Sequence, residues 1–220
     1  MSMYRIVLFG PQGSGKGTQA ELLASKLNVS KIDTGNLWRK EIAEGTELGR
    51  AQEQRQSEGK LALDEQTNEV MRRRLSADDV KEGFLIDGYP RSRAQLEALD
   101  AIAPPTHVIF LKLSDEEALR RLTGRLFCMT CGKTYHALYN PPKVKIGDEW
   151  LCDEDRTPLI VREDDKPESI KQRLEIYHEQ SEPVVQIYRP RGILYEIDAS
   201  QSIEKVHEDI MNALTSNSHS

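Results

Sequence analysis

The chain has 220 residues, of which 38% are hydrophobic and 30% charged, and its net charge is −6. Those proportions suit one α/β domain with inserts; the acidic balance argues against a nucleic-acid binder, and no apolar run is long enough to span a membrane. Residues 1–6 pass directly into an apolar stretch, with no basic region and no small-residue cleavage site, so a cytoplasmic chain without a signal peptide is expected.

Ile6-Val7-Leu8-Phe9 is a continuous apolar run closed by Gly10, the pattern of a strand buried on both faces of a parallel sheet. Ala20, Leu23, Ala24 and Leu27 then fall at helical spacing. Between them lies Gly10-Pro11-Gln12-Gly13-Ser14-Gly15-Lys16-Gly17-Thr18, a G-x-x-x-x-G-K phosphate loop with Gly17 where many such loops carry Ser or Thr. Glycines let backbone N–H groups approach phosphate oxygens, and the helix N-terminus favours negative charge. Lys16 would reach the β- and γ-phosphates, and Thr18 a phosphate or the magnesium shell.

Residues 33–62 read as helical and polar with no strong strand, an insert on the core. Arg72-Arg73-Arg74 sits in an amphipathic stretch and reads as a solvated helix face. Phe84-Leu85-Ile86 is a second buried strand ending at Asp87-Gly88, and residues 107–113 are a third. Ser114 with Glu117 has the form of a capping box. Residues 124–161 are rich in Gly, Pro and Cys, too long for a bare loop, and form a second insert. A helix is expected over 165–188, with Pro167 tolerated in its first turn and Pro183 kinking it or ending it early. A fourth strand follows at 193–197. The alternation predicts a doubly wound parallel sheet built from residues 1–32, 63–123 and 162–220.

Two constellations carry chemistry. Arg39, Arg91, Arg121, Arg125, Arg162 and Arg173 fall where a site at the sheet ends would collect them, and phosphoryl transfer needs cations around several phosphates more than it needs covalent help. Cys128-x-x-Cys131, followed 20 residues later by Cys152-x-x-Asp155, has the form of paired zinc knuckles in which a carboxylate replaces one thiolate. His136 is a rival fourth ligand. Four protein ligands leave no open position, so such a zinc would be structural and would stabilise an insert with little core of its own. The insert mixes Lys133, Lys143 and Lys145 with Asp148, Glu149, Asp153 and Glu154, the wrong balance for a zinc ribbon that grips nucleic acid.

In order, Gly10–Thr18, the segments 33–39 (Asp-Thr-Gly-Asn-Leu-Trp-Arg), 87–91 (Asp-Gly-Tyr-Pro-Arg) and 121–125 (Arg-Leu-Thr-Gly-Arg), and Arg162-Glu163-Asp164-Asp165, resemble the signature segments of adenylate kinases. The likeness covers nearly the whole chain, and the second insert resembles the long bacterial-type lid. It departs from the family at Asp33 and Asn36, where Ser and Asp are usual, and at Leu126, often a second arginine. Gly17 is this family's own form of the loop.

The resemblance implies a nucleoside-monophosphate insert (33–62) and a lid (124–161) closing over two nucleotides, with the reaction ATP + AMP giving two ADP, dependent on Mg²⁺. It implies AMP contacts from Thr34, Arg39, Lys60, Leu61, Ala62, Gly88, Tyr89, Pro90, Arg91 and Gln95. ATP contacts would come from Gly13, Ser14, Gly15, Lys16, Gly17, Thr18, Arg121, Arg125, Thr134, Tyr135 and Gln201. Arg162 and Arg173 would grip the transferring and acceptor phosphates, and Asp87 would orient magnesium through water. Some relatives carry a Cys₃Asp zinc site in the lid, and a Tyr-His pair is usual in lids without metal, which favours Asp155 over His136. A monomer is expected. A GTP:AMP enzyme is the alternative, because donor-base contacts in this fold are largely made by backbone.

Overall fold

The computed structural model describes residues 4–57, 62–162 and 165–216. Its centre is a five-stranded, all-parallel sheet in the order β2-β3-β1-β4-β9. These strands are β1 (Tyr4–Phe9), β2 (Ser30–Asp33), β3 (Gly83–Asp87), β4 (His107–Lys112) and β9 (Leu194–Asp198). The apolar runs are continuous because each strand feeds two cores. Val7, Phe9, Phe84, Ile86, Val108 and Phe110 face one side. Ile6, Leu8, Leu85, Ile109 and Leu111 face the other.

The first core is closed by Met71 of α4 (Asp64–Leu75), Leu96 and Leu99 of α5 (Arg93–Ile102), and Val184, Val185 and Tyr188 of α8 (Glu182–Tyr188). The second is closed by Ala20 and Leu23 of α1 (Lys16–Leu27) and by Val206, Ile210 and Leu214 of α9 (Ile203–Ser216). Helices on both faces of a parallel sheet make the expected doubly wound fold, and the β1–α1 loop lies at its carboxyl edge, where the strand order reverses.

Three local expectations are refined. Residues 30–33 form an edge strand, β2, that pairs with β3. With Ile32 its one apolar residue, Ser-Lys-Ile-Asp carries almost no strand pattern. Helix α7 starts at Pro167, not 165, and runs to Ile176. Pro183 neither ends the helix nor leaves it regular: a π-helical turn, Tyr177–Ser181, precedes α8. Pro183 has no N–H for the carbonyl four residues back, and the wider winding absorbs that misfit. Ser114 caps α6 (Asp115–Thr123) by accepting the Glu117 N–H at 3.3 Å. The Glu117 carboxylate is turned instead to Arg120 and Arg121.

The polar helices α2 (Thr34–Ala43) and α3 (Glu47–Ser57) follow β2, with Leu37 of α2 packed against the first core. The stretch after α6 holds two antiparallel pairs, β5 (Arg125–Phe127) with β6 (Thr134–His136) and β7 (Val144–Ile146) with β8 (Glu149–Leu151). Arg72, Arg73 and Arg74 lie on α4, paired with Glu69, Glu41 and Asp79. Among the described residues no helix is long and apolar enough to cross a membrane.

Candidate active site

The β1–α1 loop is shaped by sterics before charge. Gly13 has φ of 85°, and a Cβ there would lie 2.9 Å from the Ala118 carbonyl oxygen. Only glycine accepts both that conformation and that approach. Helix α1 begins with no side-chain cap and no acidic residue in its first turn, so its first N–H groups and the dipole are left to favour an anion. Lys16 Nζ folds back over the loop and donates to the carbonyls of Gly10 at 2.7 Å and Pro11 at 2.8 Å. Burial lowers its pKa to about 8, with Arg91, Arg173 and Arg125 adding to the fall and Asp87 opposing it. Asp87, at the end of β3, is pushed above the carboxylate range by burial, against the pull of Lys16.

This loop forms one wall of a cavity of about 500 Å³. Eight cationic side chains line it: Lys16, Lys31, Arg39, Arg91, Arg121, Arg125, Arg162 and Arg173; the acidic ones are Glu21, Asp33, Asp87 and Glu204. In a chain of net charge −6, a local cation excess of this size marks a polyanion site. All six arginines named from the sequence are brought together. Gly13 to Thr18, Gly88, Thr134, Tyr135 and Gln201 also line the cavity.

The arginines come from separate segments of the chain. Arg91 donates from Nε to the Gly88 carbonyl at 2.8 Å. A Cβ on Gly88, whose φ is 88°, would crowd the Arg91 guanidinium at 3.2 Å, so the glycine makes room for it. Burial lowers the pKa of Arg91, and Asp87 and Asp33 counter that. Arg121 is tied to Glu117 at 2.8 Å and to the Ser200 carbonyl at 3.3 Å. Arg125, just after α6, and Arg173, on α7, share Asp165 at 2.5 and 3.4 Å. The Asp165 side chain is 0% exposed.

Asp165 belongs to the segment Arg162–Asp165, yet sequence reasoning gave a role to Arg162 alone. A carboxylate behind two arginines is not visible without the packing of α6 on α7 through Ala118, Leu122, Ile170 and Leu174. Asp165→Asn is expected to destabilise the protein by about 1–3 kcal/mol, since it leaves two partly buried cations short of a counter-charge. Turnover should fall more steeply than thermal stability. Full activity in the Asn variant would mean that Arg125 and Arg173 need no such anchor.

Tyr139 is a second residue that sequence reasoning missed. It lines the cavity, with Arg120 and Arg121 over its ring at 5.4 and 6.0 Å. An aromatic residue three places after His136 was the available signal.

Thr34, Tyr89, Pro90, Gln95 and Ala62, also predicted, lie apart from this cavity's lining. Thr34 is buried and donates to the Asp87 carbonyl at 3.1 Å. Tyr89 is buried, with its hydroxyl on Asn68 and the Gln95 carbonyl, and Pro90 beside it is buried too. The Gln95 amide donates to Asp64 at 2.7 Å and accepts the Arg91 N–H at 2.7 Å, which leaves one hydrogen and one lone pair unspent. Gln201 lines the cavity while its amide caps the Asp198 carbonyl and Asp209. Ala62 is half-buried ahead of α4; Lys60 and Leu61 lie outside the described residues.

In the β5–β8 region the Cys128, Cys131, Cys152 and Asp155 ligand atoms all fall within 4.8 Å of one another. Cys128 Sγ is 3.3 Å from an Asp155 oxygen, and Cys131 Sγ is 3.5 Å from Cys152 Sγ. A tetrahedron of Zn–S bonds near 2.3 Å has edges of about 3.8 Å, so the set fits zinc closely. His136 is not in the group. Its Nδ1 accepts the N–H groups of Leu138 and Tyr139 at 3.0 and 3.2 Å, so it serves the local turn. The Tyr135 hydroxyl is turned to this cluster, 3.4 Å from Cys152 Sγ.

A glycine loop at the switch point of a parallel sheet, opening on a cavity lined by six arginines, defines a P-loop nucleotide kinase. The family model described as adenylate kinase matches residues 8–193. An adenylate kinase from Acidothermus cellulolyticus is 43% identical over 215 residues, covering 96% of this chain and 97% of its own length. Adenylate kinases from Caldanaerobacter subterraneus subsp. tengcongensis and Staphylococcus aureus strain Mu50 are each 42% identical, over 96% and 95% of this chain and 96% and 98% of theirs. The chain belongs to the adenylate kinase family.

Proposed function

We infer that the chain catalyses reversible phosphoryl transfer, ATP + AMP giving two ADP. The observation that carries this is the convergence of Lys16 and six arginines on one cavity, an arrangement for two nucleotides carrying several phosphates between them. Gly13 to Thr18 with Lys16 would seat the donor phosphates, and Arg121 with Tyr139 would form the guanidinium and ring surface against which the donor base rests. Thr134, Tyr135 and Gln201 complete the donor side. Arg39 and Arg91 would take the acceptor phosphate, with Thr34, Lys60 to Ala62, Gly88 to Pro90 and Gln95 around the acceptor base and ribose. Arg125, Arg162 and Arg173 would stabilise charge on the group in flight. The acceptor phosphate is already ionised, so no general base is called for, and positioning with preorganised charge does the catalytic work.

Asp87 suits a water-mediated hold on Mg²⁺: it is half-buried at the end of β3 and lines the cavity with Lys16. When bound, the ion neutralises charge on the donor phosphates. Residues 33–62 and 124–161 are read as the two segments that close over the reactants and exclude water. The four-ligand cluster Cys128, Cys131, Cys152 and Asp155 is read as a structural zinc site that ties the lid's two knuckles together. A monomeric cytoplasmic enzyme fits this reading.

A coupled assay should give ADP from ATP and AMP at rates well above those with UMP or GMP as acceptor, blocked by two adenosines joined through five phosphates. Faster turnover with another acceptor would overturn the substrate assignment, and faster turnover with GTP would move it to the GTP:AMP class.

A further inference from the structure

Phe127 is the last residue of β5, 6% exposed, and two arginines lie over its ring. Arg39 Cζ, from α2, is 5.8 Å from the ring centroid, and Arg162 Cζ, from the far end of the lid segment, is 5.3 Å away. The backbone beneath the ring is fixed. Phe127 N–H donates to the Ile160 carbonyl at 2.8 Å, and Ile160 N–H donates back at 3.0 Å, so the ring stands where the lid's entering and leaving strands are stitched together. The neighbouring knuckle also faces α2: a Cβ on Gly132 would sit 3.8 Å from Asn36 Oδ1. Asn36 itself accepts from Arg39 Nε at 3.2 Å.

We propose that Phe127 is a positioning residue for the phosphoryl-transfer reaction, its ring holding Arg39 of the acceptor side and Arg162 of the transfer side together in the closed cavity. The inference rests on the kinase reading above. Arg125 and Arg173 are held by a carboxylate, Asp165, whose charge competes with phosphate. An aromatic face attracts a guanidinium through its quadrupole, most strongly where water is excluded. It adds no negative charge of its own to the site, where Asp33 already lies 3.8 Å from Arg39. The ring also couples two motions, because Arg39 meets it only when α2 and the lid stem are together.

The test is steady-state kinetics of Phe127→Leu, which keeps apolar volume and removes the π-face. The Michaelis constant for AMP should rise about two- to fivefold, the range expected for a cation–π contact to a guanidinium that keeps part of its exposure, and that for ATP should change far less. Melting temperature and bound metal should match the parent protein, and Phe127→Tyr should recover most of the loss. In an Arg39→Lys background the Leu change should add little, since the partner geometry is already lost. An unchanged constant for AMP would overturn the proposal. So would a parallel rise for both nucleotides with lower stability and no rescue by Tyr, or full additivity with Arg39→Lys. A parent protein without kinase activity would overturn the activity reading instead, so the two failures are distinguishable.

Discussion

Lys16→Met is expected to lower turnover by about 10²–10³-fold, the cost of removing one preorganised charge from a developing phosphoryl transition state, while the ligand-free fold melts within a few degrees of the parent. Two opposing terms produce the second half of that result. The ammonium is held at a pKa of about 8 by burial, so at neutral pH the folded state carries a penalty on the order of 2 kcal/mol after allowance for partial solvent access. The methionine relieves it. Against that, the Gly10 and Pro11 carbonyls lose the donor that satisfies them at 2.7 and 2.8 Å, a loss of about 1–2 kcal/mol.

The sign of the pH effect separates this account from a purely structural one. The folded pKa, about 8, lies below the ordinary 10.5. Between those values the unfolded chain holds the proton and the folded chain does not, so stability rises with pH across that window. Below pH 8 both states are protonated and the penalty is fully present. Denaturant unfolding at stepped pH should therefore show the parent gaining on Lys16→Met between about pH 8 and 10.5. A constant difference over that range, or near-parent turnover in the variant, would sink the assignment of Lys16 as the buried phosphate cation.

The sheet was legible because parallel strands buried on both faces leave unbroken apolar runs. Ile6–Phe9, Phe84–Ile86 and residues 108–111 split between two cores, and no alternation was needed to find them. Edge strand β2 escaped because one buried face needs one apolar residue, Ile32. The arginines were legible as a set through their motifs, whereas their anchors were not. Asp165, Tyr139 and Phe127 act through partners 8 to 88 positions away in sequence. Spacing alone carries no signal for that. The π turn ahead of Pro183 shows the same limit at short range: sequence predicts a misfit at the proline, and packing of Tyr177, Val184 and Val185 in the core decides that the chain bends its winding and does not stop.

Zinc removal is the second change with a large expected effect, because little else holds the β5–β8 segment proposed as the lid. The buried cluster there is Cys128, Tyr135 and Cys152, with Leu126 and Leu159 packed against it, against sixteen buried residues in one of the sheet cores alone. Four three-residue strands with so small a core do not hold a fixed shape without a further tie. Structural zinc in small domains supplies about 10–16 kcal/mol of binding free energy at neutral pH, and that energy is spent on folding. The purified protein should hold one zinc per chain. Stripping it, or changing Cys152 to Ser, should unfold the lid in a separate early transition while the sheet remains intact. Turnover should fall about tenfold or more, because Arg125, Phe127, Thr134 and Tyr139 all reach the cavity from lid backbone. Asp155→Asn should weaken metal binding, whereas His136→Ala should leave the stoichiometry unchanged, since the imidazole is engaged with Leu138 and Tyr139. Zinc retained in the Asp155 variant and lost in the His136 variant would reverse the ligand assignment. A lid equally stable with and without chelator would remove the metal from the account, and the four convergent side chains would then need another explanation.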